Sequence, residues 1–153
     1  MPTNPGEYTS PYTVVADDMN ALPAGKVAYA SVTADQGSIT TEADLTGLSI
    51  SWTSLAGRYY RISAECFFKS SVANDFANLS ITNLTPTAIQ QSQVYCPSTT
   101  VVVKTACSVV VQPGAVTASY KLRASRASGT GNITMSAGAT NPAFILVEDI
   151  GNA

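Results

Sequence analysis

Ten carboxylates are the first place to look for chemistry in this chain: Glu7, Asp17, Asp18, Asp35, Glu42, Asp44, Glu65, Asp75, Glu148 and Asp149. Hydrolysis of a glycosidic bond needs two of them facing each other across one cleft. Asp17-Asp18 and Glu148-Asp149 are neighbours in sequence, so in extended chain they point apart. Glu42 and Asp44 share a parity but sit in the turn-like run Thr41-Glu42-Ala43-Asp44, where water solvates them. With Asp35 they offer the hard oxygens a calcium ion takes, yet no EF-hand spacing supports such a site. Histidine is absent. That removes Ser/His/Asp and Cys/His catalysis, imidazole metal ligands and a histidine pH switch. Ser128-Gly129-Thr130-Gly131 has two glycines, but it joins two strand-like runs and no helix follows to hold a phosphate. No catalytic residue, metal or cofactor is expected, and the chain does not read as an enzyme.

Cys66, Cys96 and Cys107 form an odd set without CxxC spacing. Each lies in or beside a strand-like run, so buried free thiols are expected ahead of a Cys96–Cys107 bridge. Asn78, Asn83 and Asn132 begin Asn-x-Ser/Thr triplets, as a chain with 17 Ser and 18 Thr produces by chance. Tyr59 and Phe67 fall on an otherwise polar strand face, and Tyr8 and Tyr12 lie near the start of the chain. Such rings stack on a sugar or are covered at a subunit seam. The seam is the expectation, with Arg61 and Glu65 paired across or along it. Tyr8, Tyr12, Met19, Leu22, Tyr59, Arg61, Glu65 and Phe67 are the candidate contact residues.

The elements that hold these residues follow from composition and period. The chain has 153 residues, a formal charge of −2, 45% hydrophobic and 12% charged residues. That length fits one domain with a core of its own. Eight Lys and Arg against ten acids give no basic excess, so nucleic-acid binding is not expected. The longest apolar runs are about four residues, far short of the roughly 20 that span a bilayer as a helix. Met1 to Tyr8 carries no basic or apolar block, so no secretory leader is expected.

Residues 1–25 are punctuated by Pro2, Pro5, Pro11 and Pro23 and read as an extended N-terminal arm, with one short helical turn at 16–22. The arm is expected to lie on a neighbouring surface. Residues 26–153 read as strand after strand, at 26–34, 37–41, 46–54, 58–69, 79–83, 87–95, 100–111, 115–125, 132–138 and 143–149. Alternation points Leu48, Ile50 and Trp52 inward, then Tyr60, Ile62, Ala64, Cys66 and Phe68, then Val116, Ala118, Tyr120, Leu122 and Ala124. Ile133, Met135 and Ala137 continue the inner face. The expected fold is all-β, a jelly-roll-like antiparallel β-sandwich. Residues 27–34, 101–111 and 143–147 are apolar on both faces, which implies cover on both sides and hence contact with another subunit.

Several segments, in order, resemble actinobacteriophage minor tail proteins. Ala16-Asp17-Asp18-Met19-Asn20-Ala21-Leu22-Pro23-Ala24-Gly25 is similar to the family's A-D-x-N-A-L-P-x-G entry. Val27-Ala28-Tyr29-Ala30 follows. Asp44-Leu45-Thr46-Gly47-Leu48-Ser49-Ile50, Ala56-Gly57-Arg58-Tyr59-Tyr60-Arg61-Ile62 and Phe68-Lys69-Ser70-Ser71-Val72-Ala73 match further family segments. Leu146-Val147-Glu148-Asp149-Ile150-Gly151 resembles its terminal L-V-E-D-I-G. Residues 86–112 match no family segment. The resemblance implies a non-enzymatic virion protein, assembled in the host cytoplasm as a homotrimer with other tail proteins. Contact with a host cell-surface glycan is part of the same expectation. The short lead before the first motif leaves no room for a larger attachment domain. That raises a capsid decoration protein as an alternative; a carbohydrate-binding module is a second.

Overall fold

The computed structural model describes residues 22–85 and 87–152. Ten strands follow one another without a helix among the described residues: β1 (Gly25–Val32), β2 (Gln36–Ile39), β3 (Ala43–Thr53), β4 (Arg58–Ser70), β5 (Asp75–Asn83), β6 (Ala88–Cys96), β7 (Val103–Val111), β8 (Thr117–Ser128), β9 (Ile133–Met135) and β10 (Ala143–Asn152). All pairings are antiparallel. One sheet runs β1-β10-β4-β7, with short β9 and β2 continuing beyond the end of β10; the other runs β3-β8-β5-β6. Setting the two short strands aside, the chain crosses between the sheets at every step except the β5–β6 hairpin, as two interlocked Greek keys. The all-β sandwich expected from the sequence is the observed fold, and its strand order is that of a jelly roll.

Period two builds the core. Tyr60, Ile62, Ala64, Cys66 and Phe68 on β4 are all buried, as are Leu48, Ile50 and Trp52 on β3 and Leu79 and Ile81 on β5. Ile145 and Val147 from β10, with Ile133 and Met135 from β9, close the same cluster. Trp52 stacks on Tyr120 at 5.4 Å between centroids and meets Tyr60 at the same distance. On β3 the period breaks once. Gly47, at φ +79°, makes a bulge between Asp44 and Ser49, so that Leu45 and Leu48, three apart, both turn inward. A Cβ at Gly47 would come within 2.7 Å of Val32 Cγ1, so the position needs glycine for both conformation and space.

Three sequence expectations change. Val116 belongs to the β7–β8 turn and is 51% exposed, while Ala118, Leu122 and Ala124 are buried as expected. Val101 and Val102 lie in the β6–β7 loop, and β7 then alternates, with Lys104, Ala106 and Ser108 outward; this strand is not apolar on both faces. β5 starts at Asp75, four residues earlier than its apolar residues suggest, because Asp75 is itself inward.

Candidate functional site

Charged side chains on the core-facing parity mark the first notable place. Arg58 opens β4 in phase with Tyr60 and Ile62; Asp149 lies on β10 in phase with Ile145 and Val147. Both are buried and they meet. Arg58 Nε donates to Asp149 Oδ2 at 2.5 Å and Nη2 to Oδ1 at 2.7 Å, a bidentate pair. Arg58 Nη2 also donates to the Leu22 carbonyl at 2.7 Å, and the backbone N–H groups of Gly151 and Ala24 donate to the Asp149 carboxylate. One ion pair therefore ties the root of the N-terminal arm to the start of β4 and the end of β10. A cavity of about 600 Å³ opens beside it, lined by Leu22, Pro23, Leu55, Ala56 and Asn152. Residues 22–25, 56–62 and 146–151, from three of the segments that carry the family resemblance, close on this cluster.

A second inward carboxylate, Asp75, accepts from Ser70 Oγ at 2.5 Å and from the backbone N–H groups of Gly131 and Thr130 at 2.8 and 3.1 Å. It pins the β8–β9 turn to the β4–β5 turn. The Ser70 hydroxyl and these N–H groups hold its carboxyl below the usual carboxylate range. For Asp149, burial alone would raise the value, but Arg58 and the backbone N–H donors outweigh it and the net direction is down. Asp44 is also lowered, by Lys121 first and Arg123 as well. Each of these acids binds its proton more weakly folded than unfolded. Their stabilisation is therefore full above the unfolded carboxylate value near 4 and is lost as pH falls below it. Thermal midpoints should be flat from pH 7 to about 5 and drop below about 4. In Asp149→Asn that drop should be shallower and start from a lower neutral-pH midpoint.

The two outer faces of the sandwich differ. On the β1-β10-β4-β7 sheet, Tyr29 opposes Leu146, which opposes Ser63, which opposes Ser108; Phe144 lies in the next row opposite Glu65. Tyr29 is 49% exposed and packs on Phe144 at 6.1 Å. The apolar centre is bounded by Arg61–Glu148 (2.8 Å) toward one end and Lys104–Glu65 (2.7 Å) toward the other. The outer face of the other sheet carries hydroxyls, amides and charges across β3 and β8, with one aromatic pair, Phe76–Tyr95 at 5.1 Å, toward the β6 edge. Ser51 bonds Ser119, Gln93 donates to Asn78, and Glu42 and Asp44 pair with Lys121 and Arg123. That pairing uses up the acids of the calcium reading, and no metal-binding cluster forms among the described residues. Asp35 instead accepts from the Ala137 N–H.

The expected contact residues are distributed as follows. Tyr8, Tyr12, Met19 and the helical turn at 16–21 lie outside the described residues. Leu22 is exposed beside the cavity at the arm root. Tyr59, Arg61, Glu65 and Phe67 share the outer parity of β4, and within one chain Arg61 and Glu65 do not pair with each other. Four residues along a strand span roughly 13 Å, whereas the cross-strand partner lies about 5 Å away. Each therefore takes a partner on a neighbouring strand, Glu148 and Lys104. Phe67 lines a small groove with Val102 and residues 136–138, apart from the Tyr29 patch. Arg58, Asp149 and Asp75 were missed as a group. The signal was present: a charge that continues the parity of a buried apolar series must find a partner inside. The three thiols are free and buried; burial pushes all three up, Cys107 to about 11, so none is poised as a nucleophile.

No protein-family model matches the chain, and no curated protein matches it. Among solved structures, the Eiger TNF from S. frugiperda is similar with TM-score 0.43 at 11% identity, over 84% of this chain and 94% of that one. The Gx strain of infectious bursal disease virus is similar with TM-score 0.45 at 16% identity, over 97% of this chain and 43% of that one. Latent PorU from Porphyromonas gingivalis gives TM-score 0.43 at 9% identity, over 86% of this chain and 14% of that one. The chain thus spans less than half the length of the last two. Identities this low say nothing of what the chain binds.

Proposed function

We propose that the protein is a non-enzymatic structural component of a virion, a minor tail protein that assembles as a homotrimer through the outer face of its β1-β10-β4-β7 sheet. The observation that carries this reading is the asymmetry of the two outer faces: Tyr29, Phe144 and Leu146 lie at the centre of one, whereas hydroxyls, amides and ion pairs hold the centre of the other and its aromatic pair, Phe76–Tyr95, lies toward the β6 edge. A contiguous apolar centre with a charged rim is the composition of a protein–protein interface. Segments that resemble actinobacteriophage tail proteins, in the same order, supply the setting, and described parts of three of them share a structural task at the Arg58–Asp149 cluster. Among the described residues, the acidic side chains near this surface are engaged with cations or backbone N–H groups, which suits holding a shape. Labelled-antibody microscopy of intact particles tests the reading. Label on the tail is the expected result. Label spread over the head would replace it with a capsid decoration role, and unlabelled particles would end the virion assignment.

A further inference from the structure

Beyond its side faces, the sandwich has two ends, and they differ in composition. At one end lie residues 22–25, the β3–β4 turn (54–57), the described part of the β5–β6 turn (84, 85 and 87), the β7–β8 turn (112–116) and the end of β10 (150–152). The pairings Asn152 with Arg58, Tyr60 with Val111, and Thr53 with Thr117 place these segments together, and Ser54 N–H donates to the Val116 carbonyl between two of them. None of the five segments contains Lys, Arg, Asp or Glu. Large apolar side chains stand out from this end: Leu55 is 58% exposed, Leu84 74% and Val116 51%, with Leu22 and Ile150 beside them. Two open cavities lie here, the one at the arm root and one of about 340 Å³ between Leu84, Pro113 and Val116. The opposite end also exposes Val72, Val101 and Val102, but it carries Asp35 and Glu42 in its loops.

We infer that this charge-free end is the attachment base, seating on an uncharged, apolar surface of another protein of the particle. The inference goes beyond the proposed function and rests on its trimer. Copies joined in a ring through a lateral face all point the same end along the rotation axis. The three ends then form one platform that cannot meet a sister copy within the ring, so a different protein covers it. Depletion of charge sets the chemistry of that partner, because an apolar surface facing Lys or Glu would leave an unpaired charge desolvated. Leu22, the first described residue, lies at this end, held by its carbonyl to Arg58. Beneath the loops the Trp52–Tyr60–Tyr120 cluster gives the base a rigid floor, and the Leu55 N–H donates to the Tyr60 hydroxyl.

The test uses particles assembled without the protein, mixed with the purified full chain and sedimented. Leu55→Asp, Leu84→Asp and Val116→Asp are made separately, so a variant that fails to fold leaves two others to read. The expected result is at least a tenfold loss of bound copies per particle for each folded variant, with its own assembled mass unchanged. Gln93→Glu, on the polar outer face, should bind like the unmodified chain. Normal binding by all folded base variants would overturn the inference. So would their collapse to single chains, which would make a second copy the occupant of the base. Failure of the unmodified chain to bind any particle would sink the virion reading itself, and this inference with it.

Discussion

Replacing Leu146 with aspartate is expected to turn the assembled protein into single chains that remain folded. Leu146 sits between Tyr29 on β1 and Ser63 on β4, at the centre of the outer face. Its side chain points away from the core, so folding does not depend on its shape. At a desolvated centre, a carboxylate would lose its water without gaining a cation, because Arg61 and Lys104 are already engaged by Glu148 and Glu65. Loss of the apolar contact adds to this. Together they should weaken association by ~100-fold or more, about 3 kcal/mol, as for a central hot spot. The matched control is Ser119→Asp, on the outer face of the other sheet, where assembly should not change. Sedimentation velocity of the two variants beside the unmodified chain reads the difference. Equal masses for all three would remove this face from the account.

The second large effect is on stability. Gly131 stands inside the turn that Asp75 organises. A Cβ there would lie 2.5 Å from both Asp75 Oδ2 and Ser70 Oγ and 2.7 Å from the Val72 nitrogen. Backbone is among these neighbours, so the crowding cannot be relieved by rotating one side chain. Gly131→Ala therefore forces the turn apart and loosens the hydrogen bonds that satisfy a buried carboxylate. Overpacking and lost polar satisfaction together predict a loss of about 3–5 kcal/mol. Gly138→Ala is the control, since its added Cβ meets nothing within 4 Å and its φ is not left-handed. That change should move stability by less than about 1 kcal/mol. Urea unfolding of the pair decides the point; similar midpoints would mean that the turn does not depend on Asp75.

The strands were legible because one physical rule, a period of two, governs them. Tyr60 through Phe68 and Leu122 with Ala124 could be assigned to the core with no further information, and they lie there. The rule fails where a single backbone angle intervenes. Nothing in the run Leu45-Thr46-Gly47-Leu48 announces that Gly47 takes positive φ and turns both leucines inward. It also fails where a residue type is discounted too early. Asp75, Arg58 and Asp149 continue buried series, yet charged residues are read as exposed unless a partner is sought for each. Partners of this kind come from strands remote in sequence, as Arg58 and Asp149 do. Within one chain Arg61 and Glu65 take other partners for a related reason: along one strand distance is long, and across two it is short. Val101 and Val102 mislead in the opposite way, since apolar character alone does not distinguish a strand from an exposed loop. The asymmetry between the outer faces could not be read from any one strand. It appears only when β1, β10, β4 and β7 are laid side by side.

The mass of the purified chain in solution, measured by light scattering across micromolar concentrations, tests most directly whether the apolar outer face exists to be covered. The account predicts three times the 15.9 kDa of one chain, holding on dilution through the micromolar range. A particle of 15.9 kDa at ten micromolar or above, folded and unassociated, would contradict it.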